Sequence, residues 1–275
     1  MTQKEIDQLI EEGDSLKQIA QAYSEIANQK IKRIRANLDR NRQFFKEVSS
    51  VYGLVKALSL KKKVVVPKPK DRISLILTSN YRFYGNINSD LIDFFYAQTK
   101  KLETDRIILG KAAIEYFRAG KVFTNYQELV LQEDQPSGAE LISLVQIIKD
   151  YNQVLVFYSR FKSLLVQQPT VEDITATAKI PQKENSNIRF IFEPDLPKIL
   201  SFFDSQILTL VLEETFLESE VARTASRFIS MDQAETEANK YIKEYQKLKA
   251  YAKRSLVNNQ ILENFASMAV LRRKP

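Results

Sequence analysis

The C-terminal part of the sequence contains a very long stretch without a helix-breaking residue. The 77 residues between Pro197 and Pro275 include no glycine and no proline. A continuous helix over 197–272 would be about 110 Å long, which exceeds any single domain that this chain could form. Such a helix needs a partner, because helix propensity alone stabilises it weakly. Residues at steps of three and four predict its contact face: Met231, Ala234, Ala238, Tyr241, Tyr245, Leu248 and Ala252.

The N-terminal part of the sequence supplies a candidate partner. Gly13 and Gly53 are the only helix breakers before Pro67, and apolar residues again recur at steps of three and four. This pattern predicts a second long helix over roughly residues 3–58 and a coiled coil between the two helices. The predicted contact face is Leu16, Ile19, Tyr23 and Ile26, followed after a shift of one residue by Ala27, Ile31, Ile34 and Leu38.

Charge alternates along both predicted helices and indicates how they pair. Residues 1–28 carry 2 basic and 6 acidic side chains, whereas residues 239–275 carry 9 basic and 2 acidic ones. Residues 29–70 carry 13 basic and 2 acidic side chains, whereas residues 198–238 carry 3 basic and 8 acidic ones. An antiparallel pair sets opposite charges side by side, and a parallel pair sets like charges together. The sequence therefore favours one intramolecular antiparallel coiled coil.

The middle of the chain has a different character. Seven of the eight prolines lie between Pro67 and Pro197. Apolar runs predict strands that alternate with helices, as in a layered, mostly parallel sheet. The predicted fold class is α/β, with a central Rossmann-like domain over 70–195 between coiled-coil helices over 1–60 and 196–275. The predicted middle elements are strands at 72–79, 105–110, 153–159 and 187–194, and helices from Ser89, at 111–118 and at 138–151.

The composition argues against several kinds of enzyme. The chain has no Cys and no His, which removes thiol chemistry and the most common general base and metal ligand. No glycine-rich phosphate loop of a known type is present. We therefore predict no catalytic residues, no cofactor and no metal. The acidic first residues do not resemble a secretory signal, and no run of 18 apolar residues occurs. We expect a cytoplasmic protein.

Individual polar residues in the middle have structural interpretations. Gly85 follows a predicted strand and fits a turn. Asp90, Asp93 and Glu103 fit helix caps or a solvated face better than an acid/base pair. Asp195 precedes Pro197 and fits a helix cap with proline in the first turn.

The basic residues of 30–42 and 61–63 admit two interpretations. They could contact phosphates, which would make the chain a nucleic-acid-binding coiled-coil protein with a pI near 9.3. Alternatively they pair with acidic residues across the coil or lie in a solvated connector. No basic platform with interleaved aromatic residues supports nucleic acid, so we expect none as a partner. An α/β enzyme with helical arms remains a third alternative.

Five stretches, in order along the chain, are similar to one family. The sequence resembles the gamma subunit of rotary ATP synthases, the central rotor shaft. For example, QQPTVEDI resembles the family's "QVPTISQL", FEPD resembles its "YEPD", and ASRFISMDQAETEA resembles its "AARMVAMDNATDNA". The stretches are IAQAYSEIANQKIKRIR (19–35), QQPTVEDI (167–174), FEPD (192–195), ASRFISMDQAETEA (225–238) and ILENFASMAV (261–270).

One loop departs from the family pattern. The family's "TSDRGLCGGLN" corresponds here to TSNYRFYGNIN (78–88), in which Arg82 and Asn86 replace two glycines. The resemblance places this loop in the globular foot that meets the membrane ring and the epsilon-type subunit. The change leaves open a paralogous rotary ATPase with a non-synthase output. The foot-loop residues are Arg82, Phe83, Tyr84, Gly85 and Asn88.

The resemblance implies a function that needs no catalytic residue. A gamma shaft enters a hexamer of alternating alpha and beta subunits and couples rotation there to ion translocation, on the cytoplasmic face of a bacterial membrane. By alignment, Lys30, Ile31, Lys32 and Arg33 would face acidic loops of catalytic subunits. Lys253, Arg254 and Asn258 would engage a catch loop, and Met268 and Leu271 would lie in an apolar bearing at the tip.

Overall fold

The computed structural model of the chain describes residues 2–61, 70–120, 123, 125–177 and 195–271. Two long helices lie at the ends of the sequence, and a five-stranded sheet with shorter helices lies between them in sequence. The predicted α/β class with long terminal helices is therefore confirmed. The elements are α1 (Gln3–Lys61), β1 (Lys70–Leu77), α2 (Ile87–Thr99), β2 (Asp105–Leu109), α3 (Lys111–Gly120), β3 (Gln127–Leu129), α4 (Gly138–Ile148), β4 (Tyr151–Phe161), β5 (Gln167–Asp173), α5 (Ile174–Thr177) and α6 (Leu196–Leu271).

The sheet has the strand order β3-β2-β1-β4-β5. The first four strands are parallel, with Leu75 of β1 opposite Ile107 of β2 and Val156 of β4. The last strand, β5, is antiparallel to β4 and carries Pro169, which an edge strand tolerates. The predicted mostly parallel sheet is confirmed. Two strands, β3 and β5, were not among the predicted elements because they are short or polar.

Both faces of the sheet are covered, since residues along β1 alternate between two cores. Ile73, Leu75 and Leu77 join the larger core, which also contains residues of α1, α4 and α6. Ile76 joins the smaller core, formed with α2 and α3. This alternation follows from the two-residue period of a strand. The predicted helix at 138–151 ends earlier, at Ile148, because β4 begins at Tyr151.

The chain divides into two compact units, Met1–Ile26 with Phe228–Pro275, and Ala27–Arg227. The larger unit holds the sheet and the adjoining parts of α1 and α6. Its part of α1 buries residues at heptad spacing, as a coiled coil requires. Asn41 occupies one of these positions and donates its side-chain amide to Glu213 Oε2 at 2.9 Å. The buried residues at this spacing are Ala27, Ile31, Ile34, Leu38 and Asn41, and further along α1 Ser49, Tyr52, Gly53 and Val55 are also buried.

The smaller unit pairs the start of α1 with the end of α6 through small residues. A Cβ atom placed on Gly13 would lie 2.9 Å from Ile242 Cγ1 and 3.1 Å from Tyr241 Cδ1. The helices therefore approach closely at this point. The buried residues of the unit are Ile6, Gly13 and Ala20 on α1, spaced by seven, and Met231, Ala238 and Ile242 on α6.

The predicted contact faces were right in the larger unit and partly wrong in the smaller one. Leu16, Ile19 and Ile26 are 62%, 53% and 55% exposed, and Tyr23 is 36% exposed. On α6, Ala234 and Leu248 are exposed, whereas Met231 and Ala238 are buried as predicted. The physical reason is that Gly13 and Ala20 let the helices approach closely. The larger side chains of Leu16, Ile19 and Ile26 would hold the helices further apart in the same position.

Some sequence predictions fall outside the described residues. They are the strand at 187–194, the FEP of the motif at 192–194, the basic residues at 62–63 and the chain end at 272–275.

Candidate partner-binding surfaces on the helix pair and the β1–α2 loop

Ion pairs within the larger unit join α1 to α6. Lys30 Nζ lies 2.6 Å from Glu220 Oε1. Arg42 Nε lies 2.6 Å from Glu214 Oε1, and Arg42 Nη2 lies 2.8 Å from Glu218 Oε1. As the residue number rises on α1 it falls on α6, which defines an antiparallel pair. The charge argument from the sequence is confirmed here, because basic side chains of α1 meet acidic side chains of α6.

The smaller unit shows the same direction with the charges exchanged. Lys249 Nζ lies 2.6 Å from Asp7 Oδ1, and Gln21 Nε2 donates to Glu235 Oε1 at 2.7 Å. Again an acidic start lies beside a basic end. The pairing inside each unit is therefore electrostatically complementary and antiparallel.

The structure separates the four aligned residues at 30–33 into two groups. Lys30 is half-buried in its ion pair with Glu220, and Ile31 is 5% exposed in the helix seam. Lys32 and Arg33 are exposed. The two side chains that are available to another molecule are consequently Lys32 and Arg33.

The end of α6 presents a different surface. Every residue from Lys253 to Met268 is exposed, and Asp7 near the start of α1 already lies opposite Lys249. The predicted residues Lys253, Arg254 and Asn258 line one groove on this helix together with Val257. Further along, Met268 is 63% exposed and lines a second groove with Ile261 and Phe265. The side chain of Leu271 lies outside the described residues.

A second exposed apolar stripe lies on α1. Leu16, Ile19 and Ile26 belong to it, and each is more than half exposed. These residues have the same spacing as seam residues, and their spacing therefore predicted them, wrongly, in the helix seam. Their exposure makes them a candidate surface for another protein, since large apolar residues grouped on a surface mark interaction sites.

The β1–α2 loop is held tightly and displays a few side chains. Phe83 has a left-handed backbone (φ +66°), which is uncommon for an aromatic residue, and its side chain is 63% exposed. Gly85 is also left-handed, at φ +58°. Arg82 is exposed, while Asn88 holds the base of the loop by donating to Ser79 Oγ at 2.7 Å. The exposed side chains are thus presented by a fixed backbone.

Tyr84 is the anchor of this loop and is 3% exposed. Its hydroxyl donates to Asp134 Oδ2 at 2.5 Å, and the Arg227 guanidinium lies 3.9 Å from its ring centroid. Ser226 Oγ donates to the Tyr84 carbonyl at 2.6 Å. Burial, followed by the neighbouring Asp134 carboxylate, raises the pKa of the Tyr84 phenol well above its ordinary range. Tyr84 therefore fixes the loop to α6 and is not itself available to a partner.

The residues that contact the Tyr84 side chain were not predictable from the sequence. Asp134 is 4% exposed, and Arg223 is 2% exposed and donates to the Asp134 carbonyl at 3.2 Å. No motif marked either residue. A buried arginine within an otherwise amphipathic helix is visible only once the packing is known.

Side chains of the chain itself fill the place where many α/β proteins bind ligands. Ligands commonly bind where the strand order reverses, which in this sheet is between β1 and β4. Tyr84 and Ile87 after β1 form a buried cluster with Ala222 of α6, and Phe161 at the end of β4 packs against it. This packing disfavours the alternative of an α/β enzyme. In the part of the chain that the structure describes, no group of three or more acidic side chains is placed to hold a metal ion.

Comparison with known proteins decides the family. A family model described as ATP synthase matches residues 2–271, which is nearly the whole chain. The chain belongs to the ATP synthase gamma family. The ATP synthase gamma chain of Staphylococcus haemolyticus is 22% identical over 284 residues. The match covers 98% of this chain and 98% of that one. That of Dehalococcoides mccartyi is 20% identical over 272 residues, with 94% of each chain covered.

Solved structures show the same fold. The central stalk and c-ring structure of the Tetrahymena thermophila mitochondrial ATP synthase contains a chain with a TM-score of 0.61 and 17% identity. The match covers 78% of this chain and 99% of that one. A chain of the Euglena gracilis mitochondrial ATP synthase has a TM-score of 0.55 and 14% identity, over 90% and 97% of the two chains. The predicted resemblance to the ATP synthase gamma family and the predicted fold are both confirmed.

The described helices of this ATP synthase gamma family member are not membrane spans. Among them, none combines the length and the apolar character that crossing a bilayer requires.

Proposed function

We propose that the chain is the central rotor subunit of a rotary F-type ATP synthase or ATPase and couples rotation in a catalytic head to ion translocation. Family membership supports the rotor role. The structural observation that carries the proposal is the use of charge in the helix pair. Charges pair between the helices, while large apolar side chains such as Leu16 and Phe265 remain exposed. The charges favour antiparallel pairing of the two helices, and the exposed apolar side chains offer a surface to a surrounding protein.

The mechanism follows from the asymmetry of two unlike helices. A hexamer of alternating alpha and beta subunits surrounds the helix pair, and each catalytic subunit meets a different side of it. A binding partner shifts a conformational equilibrium only by its differential affinity for the states. Each side of the shaft therefore favours a different nucleotide state, and rotation moves these preferences around the ring. The rotor itself contributes no catalytic residue, cofactor or metal.

The exposed predicted residues supply the contacts. Lys32 and Arg33 face acidic loops of catalytic subunits. Lys253, Arg254 and Asn258 engage a catch loop. Met268 lies in an apolar bearing, and Leu271 follows it in the sequence. The exposure of the named side chains up to Met268 in the isolated chain supports this assignment, since a contact residue must be accessible before assembly.

The β1–α2 loop decides which further partners are present. In the synthase version of the proposal, Arg82 and Phe83 meet an epsilon-type subunit and the membrane c-ring at the cytoplasmic face of a bacterial membrane. The replacement of two family glycines by Arg82 and Asn86 favours the second candidate, a paralogous rotary ATPase with a non-synthase output.

Purification of the tagged chain from its native source, with subunit identification and an ATPase assay, tests the proposal. A nucleotide-hydrolysing hexamer together with a membrane ring is the result expected of a synthase-type rotor. A hexamer without a ring supports the paralogous motor. Recovery without any hexamer overturns the rotor function and returns attention to nucleic acid, which a salt-dependent gel shift would detect.

A variant of the reconstituted complex tests the catch-loop contact. Arg254→Ala with Asn258→Ala should reduce the ATPase rate, because both side chains lie on the exposed end of α6. Lys240→Ala is the matched control, since Lys240 pairs with Glu237 on its own helix at 2.7 Å. Equal rates for both variants would remove Arg254 and Asn258 from the proposed interface.

A further inference from the structure

Glu218 of α6 lies at a junction of three structural elements. Its Oε1 lies 2.8 Å from Arg42 Nη2 of α1, and its Oε2 lies 3.4 Å from Arg160 Nε of β4. The Tyr158 hydroxyl of β4 lies 3.1 Å from the same Oε2. The side chain of Glu218 is 18% exposed, so these contacts satisfy a carboxylate that is mostly removed from water. One side chain thus connects both helices of the pair to the sheet.

A second carboxylate extends the junction to the edge of the sheet. Glu172 Oε2 of β5 accepts hydrogen bonds from Arg160 Nη2 and from the Tyr158 hydroxyl, each at 2.9 Å. Arg160 Nη2 also donates to the Tyr158 oxygen at 2.8 Å. Arg42, Glu218, Arg160, Tyr158 and Glu172 consequently form one continuous polar network across α1, α6, β4 and β5. We call these five residues the junction network.

The protonated phenol of Tyr158 keeps the network continuous. Burial, followed by the charges of Glu218 and Glu172, raises the pKa of Tyr158 well above its ordinary range. The hydroxyl keeps its proton, and its single hydrogen can be donated to either Glu172 or Glu218. Glu172 belongs to β5 and Glu218 to α6, so the same hydroxyl can bond to the sheet or to the helix pair.

Apolar contacts beside the network hold the elements together without fixing their orientation. Ile34 and Leu38 of α1 pack with Leu217 and Val221 of α6, and Phe161 of β4 rests against them. Apolar burial is non-directional. Hydrogen bonds depend steeply on distance and angle, so the polar network resists the sliding and turning that apolar contacts permit.

We infer that the junction network sets the orientation of the helix pair on the sheet, with Glu218 as its positioning residue. This inference rests on the proposed rotor function, because a rotor must pass turning force between its shaft and its base. Arg42 and Arg160 remain 50% and 43% exposed, and exposed ion pairs contribute little to folding free energy. The network therefore serves geometry more than stability, and its loss loosens the junction without unfolding the chain.

Distance measurement in the isolated full-length chain tests the inference without any partner. The chain has no native Cys, so spin labels at Gln43→Cys on α1 and Leu165→Cys at the exposed β4–β5 turn report this junction alone. Glu218→Ala should broaden the measured distance distribution, with a melting temperature close to that of the parent. An unchanged distribution overturns the inference even if the rotor function is correct.

The matched control removes an ion pair that does not join helices to the sheet. Arg118 of α3 pairs with Glu128 of β3, away from α1 and α6. Glu128→Ala should leave the distance distribution unchanged, and broadening by this variant to the same extent would also overturn the inference. Tyr158→Phe keeps the ring but removes the shared hydrogen and the oxygen that accepts from Arg160 Nη2. It should broaden the distribution less than Glu218→Ala does, because Glu218 keeps its contacts with Arg42 and Arg160.

The assembled complex provides a second readout that separates the two proposals. In a complex carrying Glu218→Ala, ATP hydrolysis should persist while ion transport or mechanical output per ATP falls about threefold, within the range produced by residues of a coupling network. An output per ATP equal to the parent's overturns the inference alone. Failure of the parent chain itself to assemble with a hexamer overturns the rotor function, and the distance measurement still decides the role of Glu218.

Discussion

Lys30 Nζ lies 2.6 Å from Glu220 Oε1, and the Glu220 side chain is only 3% exposed. Removing the lysine leaves a buried carboxylate without its counter-ion. We expect Lys30→Ala to lower the free energy of unfolding by about 3 kcal/mol. Urea denaturation measures this change. Lys32→Ala is the control, because Lys32 is exposed, and it should change the stability by less than about 0.5 kcal/mol. Similar losses for the two variants would show that Glu220 is satisfied without Lys30.

Gly13 is required where the two helices of the smaller unit meet. A Cβ atom there would lie 2.9 Å from Ile242 Cγ1, so a larger side chain must push the helices apart. We expect Gly13→Leu to destabilise the chain by about 2 kcal/mol, as overpacking of a tight contact does. Thermal unfolding followed by circular dichroism measures it. Gly138→Leu is the matched control, since no atom lies within 4 Å of the added Cβ apart from the chain neighbours and the backbone of α4. A neutral Gly13→Leu would contradict the close approach.

The capping box of α4 gives a prediction that depends on pH. Ser137 Oγ accepts from the Glu140 backbone N–H at 3.4 Å, and Glu140 Oε2 accepts from the Ser137 N–H at 2.8 Å. Hydrogen bonds from the backbone of Ser137 and Gln132 lower the pKa of Glu140. A lowered folded-state pKa stabilises the protein above the unfolded value, near pH 4, and this contribution is lost as pH falls through the folded value.

We therefore expect Ser137→Ala to cost about 1 kcal/mol near neutral pH. Glu140→Gln should be less stable than the parent near neutral pH and approach it in acid. Denaturation curves at several pH values measure both effects. Ser143→Ala serves as the control, because Ser143 donates only to a carbonyl of its own helix, that of Ala139. A constant difference between Glu140→Gln and the parent at all pH values would refute the role of the carboxylate.

Tyr151 should make the chain sensitive to alkali. Burial, followed by its hydrogen bond to Asp105 Oδ2 at 2.7 Å, raises the pKa of Tyr151 to about 12. A phenol whose pKa is raised on folding contributes stability that is complete below about pH 10 and is lost as pH rises toward the folded value. Absorbance titration of the parent and of Tyr151→Phe should differ by one phenol near pH 12. If the two titration curves instead differ near pH 10, Tyr151 does not make the buried contact.

Sequence patterns predicted the long helices and most of the sheet because these elements depend on local spacing. The proline-free run before Pro275 became one helix, and the apolar run at 72–79 became β1. The antiparallel pairing was predictable from charge, since Lys30 and Arg42 do meet acids of α6.

The register of the smaller unit was not predictable in the same way. Leu16 and Ile19 have the spacing of a seam, and hydrophobicity alone ranks them above Gly13 and Ala20. Close helix packing reverses that order. Small residues such as Gly13 and Ala20 let the two helix backbones come close together, so they occupy the seam and the larger side chains lie outside it. The junction at Glu218 was also hidden, since it depends on residues from four elements that only the folded chain brings together.

The seam of α1 in the larger unit has a consequence for how such a protein can evolve. Ala27, Ile34 and Asn41 are separated by seven residues, or nearly two whole helical turns. A one-residue deletion would rotate all later residues of the helix by about 100° relative to the earlier ones and would turn their seam residues toward water. A seven-residue deletion would leave the face almost unchanged. Inherited changes of length in these helices should therefore occur in whole heptads, and lineages should differ in shaft length by such steps.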